Sequence, residues 1–223
     1  MGQDDQGYSI YEQVFERTEM VSAVQRLAQA EMARAKAGVR HVLTVPVVRA
    51  LATDRRLVNI AAQFVGPEPA AFRATLFEKS LTSNWLVVWH QDTALPLRSR
   101  IDGCAWGPWS IKAGVLYAHA PAWALERVVA LRVHLDDSTA ANGPLRVLPK
   151  THLQGVLSDE QIEHLARETT AVDCVAASGG VVAMRPLTVH ASSKSTDDNP
   201  RRVLHIEYAA AVNLDSGIEL AVG

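Results

Sequence analysis

The chain has 223 residues, of which 48% are hydrophobic and 21% are charged, and its formal net charge is −2. This length and hydrophobicity predict a single domain over residues 1–223 with a sizeable core. The near balance of charge, with no long basic run, argues against nucleic-acid binding. Its apolar runs are shorter than the roughly 20 residues of a membrane helix, and residues 1–11 lack a basic and apolar leader. We therefore expect a cytoplasmic protein without membrane contact.

Residues 1–70 carry mostly helical patterns. Residues 21–40 are rich in Ala, Glu, Gln and Arg, and their apolar residues recur near helical spacing. Residues 45–65 predict a second helical pair, which the sequence Gly-Pro-Glu-Pro at 66–69 ends. We therefore expect an N-terminal helical layer.

Residues 71–215 predict a β-rich core. Short β-rich apolar runs lie at residues 85–89, 128–135, 172–176, 181–184 and 203–211. A helical insert at 158–168 opens with a capping box of Ser158 and Gln161, and Asn-Gly-Pro at 142–144 predicts a tight turn. This order favours a mainly β sandwich or barrel with flanking helices. Residues 93–119 show no clear period and contain two tryptophans, which predicts an active-site lid.

Candidate metal ligands follow the pattern His-x-acid, which occurs three times, as His90 with Asp92, His134 with Asp136, and His205 with Glu207. On a strand, side chains two residues apart project to the same face and can meet at one ion. An iron site of two histidines and one carboxylate also needs a histidine from a distant strand. No histidine follows the third pair, which excludes it, and His190 is the distal candidate for the first two pairs.

An arginine beyond His190 meets a second requirement of such a site. Arg201 lies eleven residues after His190, at the start of the next predicted strand. Its guanidinium can hold a carboxylate in a bidentate fork. Arg202 is the competing candidate. A metal ion with a carboxylate clamp is what a bound 2-oxo acid requires.

Several motifs in a fixed order carry a resemblance to a known family. They are Asn-Trp at 84–85, Trp-His-Gln-Asp at 89–92, Leu-Arg-Val-His-Leu-Asp-Asp at 131–137, Asn-Gly-Pro-Leu within 142–152, Gly-Val-Val-Ala-Met-Arg-Pro at 180–186, His-Ala-Ser at 190–192 and Pro-Arg-Arg at 200–202. Together they resemble the phytanoyl-CoA dioxygenase family of iron(II)- and 2-oxoglutarate-dependent oxygenases. The resemblance implies a double-stranded β-helix (jelly-roll) core that carries iron(II) on His90, Asp92 and His190.

The resemblance also implies how the cosubstrate 2-oxoglutarate is held. Arg201 resembles the arginine that pairs with its distal carboxylate, and Ser192 resembles a serine that helps to hold it. Asn84 shares a strand face with His90 by alternation and is a further candidate, as is Lys79.

The implied reaction uses O2 and converts 2-oxoglutarate to succinate and CO2 while an unactivated C–H bond of a small molecule is hydroxylated. The candidate substrate contacts are Trp106, Trp109, His119 and His205. The apolar lid favours a compact metabolite or natural-product intermediate over a CoA thioester, because the lid offers few basic residues for phosphates. The alternative is a non-catalytic, cupin-like metal-binding or sensor module with the same three ligands and no 2-oxoglutarate.

Overall fold

The structure is a computed structural model, and it describes residues 5–30, 38–80, 83–101 and 105–223. The α-helices are α1 (Arg17–Gln29), α2 (Pro46–Ala52), α3 (Arg55–Val65), α4 (Ala122–Leu125) and α5 (Asp159–Glu168). The strands are β1 (Tyr8–Tyr11), β2 (Val39–Arg40), β3 (Ala70–Lys79), β4 (Val87–His90), β5 (Ala94–Leu97), β6 (Trp109–Lys112), β7 (Val115–His119), β8 (Val128–His134), β9 (Leu145–Val147), β10 (Val172–Cys174), β11 (Val181–Met184), β12 (His190–Ser192), β13 (Arg201–Ala209), β14 (Asn213–Asp215) and β15 (Ile218–Glu219). None of the helices in these ranges combines the length and the apolar character that a membrane crossing needs.

Two antiparallel sheets form the core. The larger sheet has the strand order β1-β11-β8-β13-β3-β2, and the smaller has the order β10-β9-β12-β4. Leu145 and Val147 of the smaller sheet pack against Val182 and Met184 of the larger one. This pair of packed antiparallel sheets confirms the predicted jelly-roll core.

Three N-terminal helices cover the outer face of the larger sheet. Met20 of α1 and Leu57 and Phe64 of α3 belong to the same buried cluster as Leu131 of β8 and Ile206 of β13. The amphipathic pattern of α3 places its apolar stripe on the sheet, as the sequence predicts. The N-terminal helical layer is therefore present.

Two boundaries in this layer differ from the sequence-based prediction. The helix predicted over residues 21–40 ends at Gln29, and Val39–Arg40 forms β2 instead. Strands β1 and β2 also lie within the segment predicted to be helical, and they form the two edges of the larger sheet. Both strands are short, with four and two residues, so they leave little periodicity to detect.

Strand β3, with ten residues, is the longest strand that the sequence did not predict. Its apolar residues Ala74 and Leu76 face the helical layer, whereas Arg73 and Lys79 line the interior of the jelly roll. An antiparallel strand beside a core normally places apolar residues inside and polar residues outside. In β3 the cations Arg73 and Lys79 lie inside and the apolar residues Ala74 and Leu76 lie outside, which is the reverse of the pattern that identifies a strand in a sequence.

Residues 93–119 contain a third antiparallel sheet, with the order β5-β7-β6. The sequence suggested no regular structure here, because strands of four or five residues give no sustained period. Trp106 is 6% exposed and packs edge-on to Trp123 in a cluster with Leu95 and Leu97. The third sheet thus packs in an apolar cluster that it shares with α4 and with the ends of β3, β8 and β13.

Candidate metal centre and active site

Three predicted ligands meet where β4 and β12 pair. His190 on β12 stands opposite His90 on β4 in the strand register, and their ring centroids are 4.2 Å apart. The carboxylate of Asp92 lies 3.7 Å from His90 Nε2 and 3.5 Å from His190 Nε2. Within the described ranges, these residues form the one group of three or more potential ligands close enough to share an ion.

Backbone carbonyls orient both histidines in the same way. His90 Nδ1 lies 2.8 Å from the carbonyl oxygen of Val88, and His190 Nδ1 lies 2.9 Å from that of Thr188. Because a carbonyl oxygen only accepts, each Nδ1 carries the proton and donates it. Both Nε2 lone pairs are then available to a metal ion, which is a usual arrangement around metal-bound histidine.

The protonation states of the ligands also suit a metal ion. Burial lowers the pKa of His190 to about 4, so this imidazole is neutral at pH 7. Burial acts to raise the pKa of Asp92, but the neighbouring His190 and His90 outweigh it and hold that pKa below its ordinary value. Neutral imidazole and ionised carboxylate are the metal-binding forms. With metal–ligand bonds of about 2.1 Å, two ligand atoms on one ion can lie up to about 4.2 Å apart, and both carboxylate–imidazole separations are within this limit.

A cavity of about 370 Å³ opens beside the three ligands. Inward-facing residues of β3, β8 and β13 line it, together with β4, β12 and the third sheet. Among the described lining residues Asp92 is the single acid, and the cations are Arg40, Arg73, Lys79, Lys112, Arg132 and Arg201. The cavity is therefore strongly electropositive.

Lys79 and Arg201 form the cationic inner end of the cavity. They stand opposite each other on β3 and β13, and they are 2% and 4% exposed. Lys79 Nζ donates to Ser192 Oγ at 2.6 Å, and Arg201 Nε donates to the carbonyl oxygen of Asn142 at 3.1 Å. Nη1 of Arg201 has no hydrogen-bond partner among the described residues. Burial, together with Arg201 and Arg132, lowers the pKa of Lys79 to about 8.

Arg132 and His205 extend this polar surface along the larger sheet. They are paired in the register of β8 and β13, and Arg132 Nη1 lies 3.2 Å from His205 Nδ1. Burial lowers the pKa of His205 to about 3, so its ring is neutral and Nδ1 accepts this hydrogen bond. No carboxylate pairs with Arg132 in the part of the chain that the structure describes.

The turn at Asn142 and Gly143 shapes the inner end. The Asn142 carboxamide accepts a hydrogen bond from the backbone of Thr139 at 2.8 Å, and Gly143 has a φ of 66°. The Gly143 carbonyl oxygen accepts from Ser192 Oγ at 2.8 Å. A Cβ atom at Gly143 would lie 2.3 Å from the carbonyl oxygen of Ser193, so only glycine fits. The interpretation of this segment as a tight turn is confirmed.

Arg201 and Arg202 lie on opposite faces of β13. Arg202 pairs with the Asp136 carboxylate in a fork of 2.7 and 2.8 Å, and its backbone N–H donates to the same carboxylate at 2.9 Å. Only Arg201 lines the cavity. The Asp136 carboxylate is therefore engaged by Arg202 and does not pair with His134. His134 itself is fully buried and lies outside the cavity lining.

Asn84 lies outside the cavity lining. Its side chain donates to the carbonyl oxygen of Ser195 at 2.8 Å and accepts from the Ser195 backbone N–H at 2.7 Å. Strand β4 begins at Val87, so the alternation that would place Asn84 beside His90 does not extend to residue 84. Asn84 anchors the segment that follows β12.

Two of the four predicted substrate contacts line the cavity, and the other two do not. His119 and His205 line the cavity. Trp106 and Trp109 instead pack in the apolar cluster of the third sheet, outside the cavity lining. Trp106 and Trp109 therefore contribute to the packing of this sheet, whereas Tyr117 from the same segment lines the cavity.

Sequence reasoning assigned no site role to four of the lining cations, which are Arg40, Arg73, Lys112 and Arg132. A signal existed for Arg73, because polar residues alternate along β3. A signal existed also for Arg132, which shares the inner face of β8 with His134 two residues later. Arg40 carries no local signal, since its position depends on the pairing of the two-residue strand β2 with β3.

Comparison with known protein families agrees with this geometry. The model of the family described as phytanoyl-CoA dioxygenase (PhyH) matches residues 4–203. The chain belongs to this family. The predicted membership of the phytanoyl-CoA dioxygenase family, whose members are iron(II)- and 2-oxoglutarate-dependent oxygenases, is confirmed. No protein of curated function matches the chain.

Solved structures share the fold of this family member. AviO1 from Streptomyces viridochromogenes Tue57 is 21% identical with a TM-score of 0.68, over 99% of this chain and 95% of that one. EctD from S. alaskensis with bound Fe is 22% identical with a TM-score of 0.71, over 99% and 77%. HygX from Streptomyces hygroscopicus with nickel and 2-oxoglutarate bound is 18% identical with a TM-score of 0.66, over 93% and 84%.

Proposed function

We propose that the protein hydroxylates an unactivated C–H bond of a small metabolite or natural-product intermediate, with release of succinate and CO2. The observation that carries this proposal is the His90, Asp92 and His190 triad beside a cavity with buried cations at its inner end. Iron(II) held by the triad would supply the redox chemistry, with O2 as cosubstrate. The protein supplies ligand geometry, charge and a shaped cavity.

The inner end of the cavity suits 2-oxoglutarate by charge. This cosubstrate is a dianion, and its keto-acid end chelates a metal while its distal carboxylate needs a cation. Arg201 offers a buried guanidinium with Nη1 unbonded among the described residues, and Lys79 and Ser192 lie beside it. A carboxylate accepts charge-assisted hydrogen bonds from such donors. The structure of HygX, which shares this fold, contains bound 2-oxoglutarate.

The alternative, a cupin-like metal-binding or sensor module, explains these residues less well. In such a module Arg201 and Ser192 would have no ligand to bind. Both side chains are buried, with exposures of 4% and 7%, and both line the cavity. An isolated buried cation costs several kcal/mol of folding free energy, which an anionic cosubstrate offsets.

The third sheet is proposed as the cover of the active site, in agreement with the lid predicted over residues 93–119. Tyr117 and His119 of β7 line the cavity. His119 Nδ1 lies 2.8 Å from Thr93 Oγ1, which connects β7 to the segment that follows Asp92. This contact ties the proposed cover to the segment beside the metal ligand Asp92.

An anaerobic titration tests the function. Purified protein receives iron(II) and then 2-oxoglutarate, and absorbance reports the weak visible charge-transfer band of a bidentate keto acid on iron. We expect the band in the wild type and not in His190→Ala, followed by succinate formation when O2 is admitted. If iron binds to the wild type but no band forms at saturating 2-oxoglutarate, the oxygenase proposal is wrong.

A further inference from the structure

A second set of cations lies at the outer end of the cavity, beyond the proposed position of 2-oxoglutarate. Arg73 and Lys79 both line the cavity from β3, six residues apart, or about 20 Å along the strand. Arg40 reaches the same cavity from β2, and Lys112 reaches it from the end of β6. Both are exposed, so they mark the entrance. We call Arg40 and Lys112 the entrance cations.

The entrance cations come from two separate layers that are held together by a direct contact. Arg40 precedes His41, and the His41 ring packs on Tyr117, with 6.1 Å between ring centroids. Lys112 Nζ lies 5.1 Å from the centroid of the same Tyr117 ring. Tyr117 is 1% exposed, which makes it a fixed support. The edge strand β2 of the larger sheet and the third sheet thus present their two cations at one entrance.

No carboxylate in the described ranges neutralises the entrance cations. The charge of the nearby Arg73, by contrast, is neutralised by an ion pair with Glu207, which is 1% exposed. Burial and the positive charges of Arg73 and Arg40 lower the pKa of Lys112, while Asp92 acts to raise it. Lys112 is therefore within electrostatic range of both Arg40 and the carboxylate ligand.

Iron(II) and 2-oxoglutarate, bound as proposed, would not neutralise the positive charge of the entrance cations. Iron(II), one Asp92 carboxylate and dianionic 2-oxoglutarate together carry one negative charge, which Arg201 alone compensates. Lys79 and Arg132 then already provide excess positive charge at the inner side. The cofactors therefore supply no anion for the entrance cations, which leaves their charge available to a further ligand.

We propose that Arg40 and Lys112 bind an anionic group of the substrate, so that the substrate is a small carboxylic acid or phosphate monoester. This inference rests on the proposed function, because it assigns the inner end to 2-oxoglutarate. An arginine provides a fork for carboxylate or phosphate oxygens, and a lysine adds a compact positive charge. The cavity of about 370 Å³ also has to hold 2-oxoglutarate, which keeps the enclosed part of the substrate small.

The test measures binding of simple anions to the anaerobic iron(II) and 2-oxoglutarate complex by calorimetry at constant ionic strength. The probes are butanoate, its neutral analogue butanamide, and inorganic phosphate. We expect one or both anions to bind at least 10-fold more tightly than butanamide. Arg40→Gln and Lys112→Gln should each weaken anion binding about 10-fold, whereas the charge-matched control Lys150→Gln, on an exposed residue outside the cavity lining, should leave it unchanged.

The two anions distinguish the substrate classes, because preference for butanoate indicates an acid and preference for phosphate indicates a phosphate monoester. Equal binding of butanoate and butanamide, no anion binding, or no effect of Arg40→Gln and Lys112→Gln would overturn the proposal. The charge-transfer band reports separately on the proposed function. If that band is absent from the wild type, phosphate titration of the metal-free protein still tests whether Arg40 and Lys112 form an anion site.

Discussion

Truncation of Arg201 is the most direct test of the cosubstrate site. Arg201→Ala removes a guanidinium that is 4% exposed and has Nη1 available to a ligand. Loss of a buried, charge-assisted partner costs about 2–5 kcal/mol of binding free energy. We take about 3 kcal/mol, which raises the Kd of 2-oxoglutarate roughly 100-fold. Anaerobic titration of the iron(II) protein, followed by the charge-transfer band, measures this Kd.

Arg202→Ala is the matched control, because it shortens the adjacent arginine on the same strand. Its guanidinium pairs with Asp136 on the face turned away from the cavity. We expect a small loss of stability, up to about 1 kcal/mol, and an unchanged Kd for 2-oxoglutarate. Iron(II) affinity should be the same in both variants, because neither arginine is a ligand. An equal rise of Kd in both variants, or none in Arg201→Ala, would refute the assignment.

Two further predictions concern the inner end of the cavity. The pKa of Lys79 is about 8, and a dianion prefers the protonated form, so 2-oxoglutarate affinity should be constant below pH 8 and fall as the pH rises above it. In Lys79→Met the affinity should be lower at pH 7 and flat from pH 7 to 9, and an unchanged profile would exclude Lys79 from the site. Gly143→Ala should lower the melting temperature and raise the Kd of 2-oxoglutarate at least 10-fold, because its Cβ meets the Ser193 carbonyl oxygen at 2.3 Å and displaces the turn that holds Ser192. Thermal unfolding and the same anaerobic titration check both effects, and a wild-type Kd would show that the turn does not shape the site.

The metal ligands could be predicted from the sequence because they lie either close together in it or in motifs that follow a fixed order. His90 and Asp92 are two residues apart, and His190 and Arg201 follow in a fixed order of motifs. The family resemblance distinguished His90 from His134, and the structure adds the reason: the carboxylate two residues after His134 pairs with an arginine on the outer face. The choice between Arg201 and Arg202 needed the strand face, which only the register supplies.

The cavity lining was harder to predict because distant pairings build it. Strand β3 contributes Arg73 and Lys79 to its inner face, while its apolar residues Ala74 and Leu76 point outward, against the usual pattern. Arg40 reaches the cavity only because β2 pairs with β3. Trp106 shows the converse difficulty, since tryptophan in a segment without clear period suggested a ligand contact, and its side chain packs in an apolar cluster outside the cavity lining.

Next to the cavity, the larger sheet carries polar binding residues on its inner face and apolar core residues on its outer face, and Arg132 tests this division. Leu131 and Val133 face the apolar helical layer, whereas Arg132 between them faces the cavity at 8% exposure, with Nε unbonded and no carboxylate partner among the described residues. Replacing buried charge by a well-packed apolar side chain often stabilises a protein by about 1–4 kcal/mol. Arg132→Met should therefore raise the melting temperature of the ligand-free protein while it weakens 2-oxoglutarate binding, as expected where function maintains a strained site. A lower melting temperature would mean that the hydrogen bond to His205 outweighs the cost of burying the charge, and that the inner face also contributes to folding.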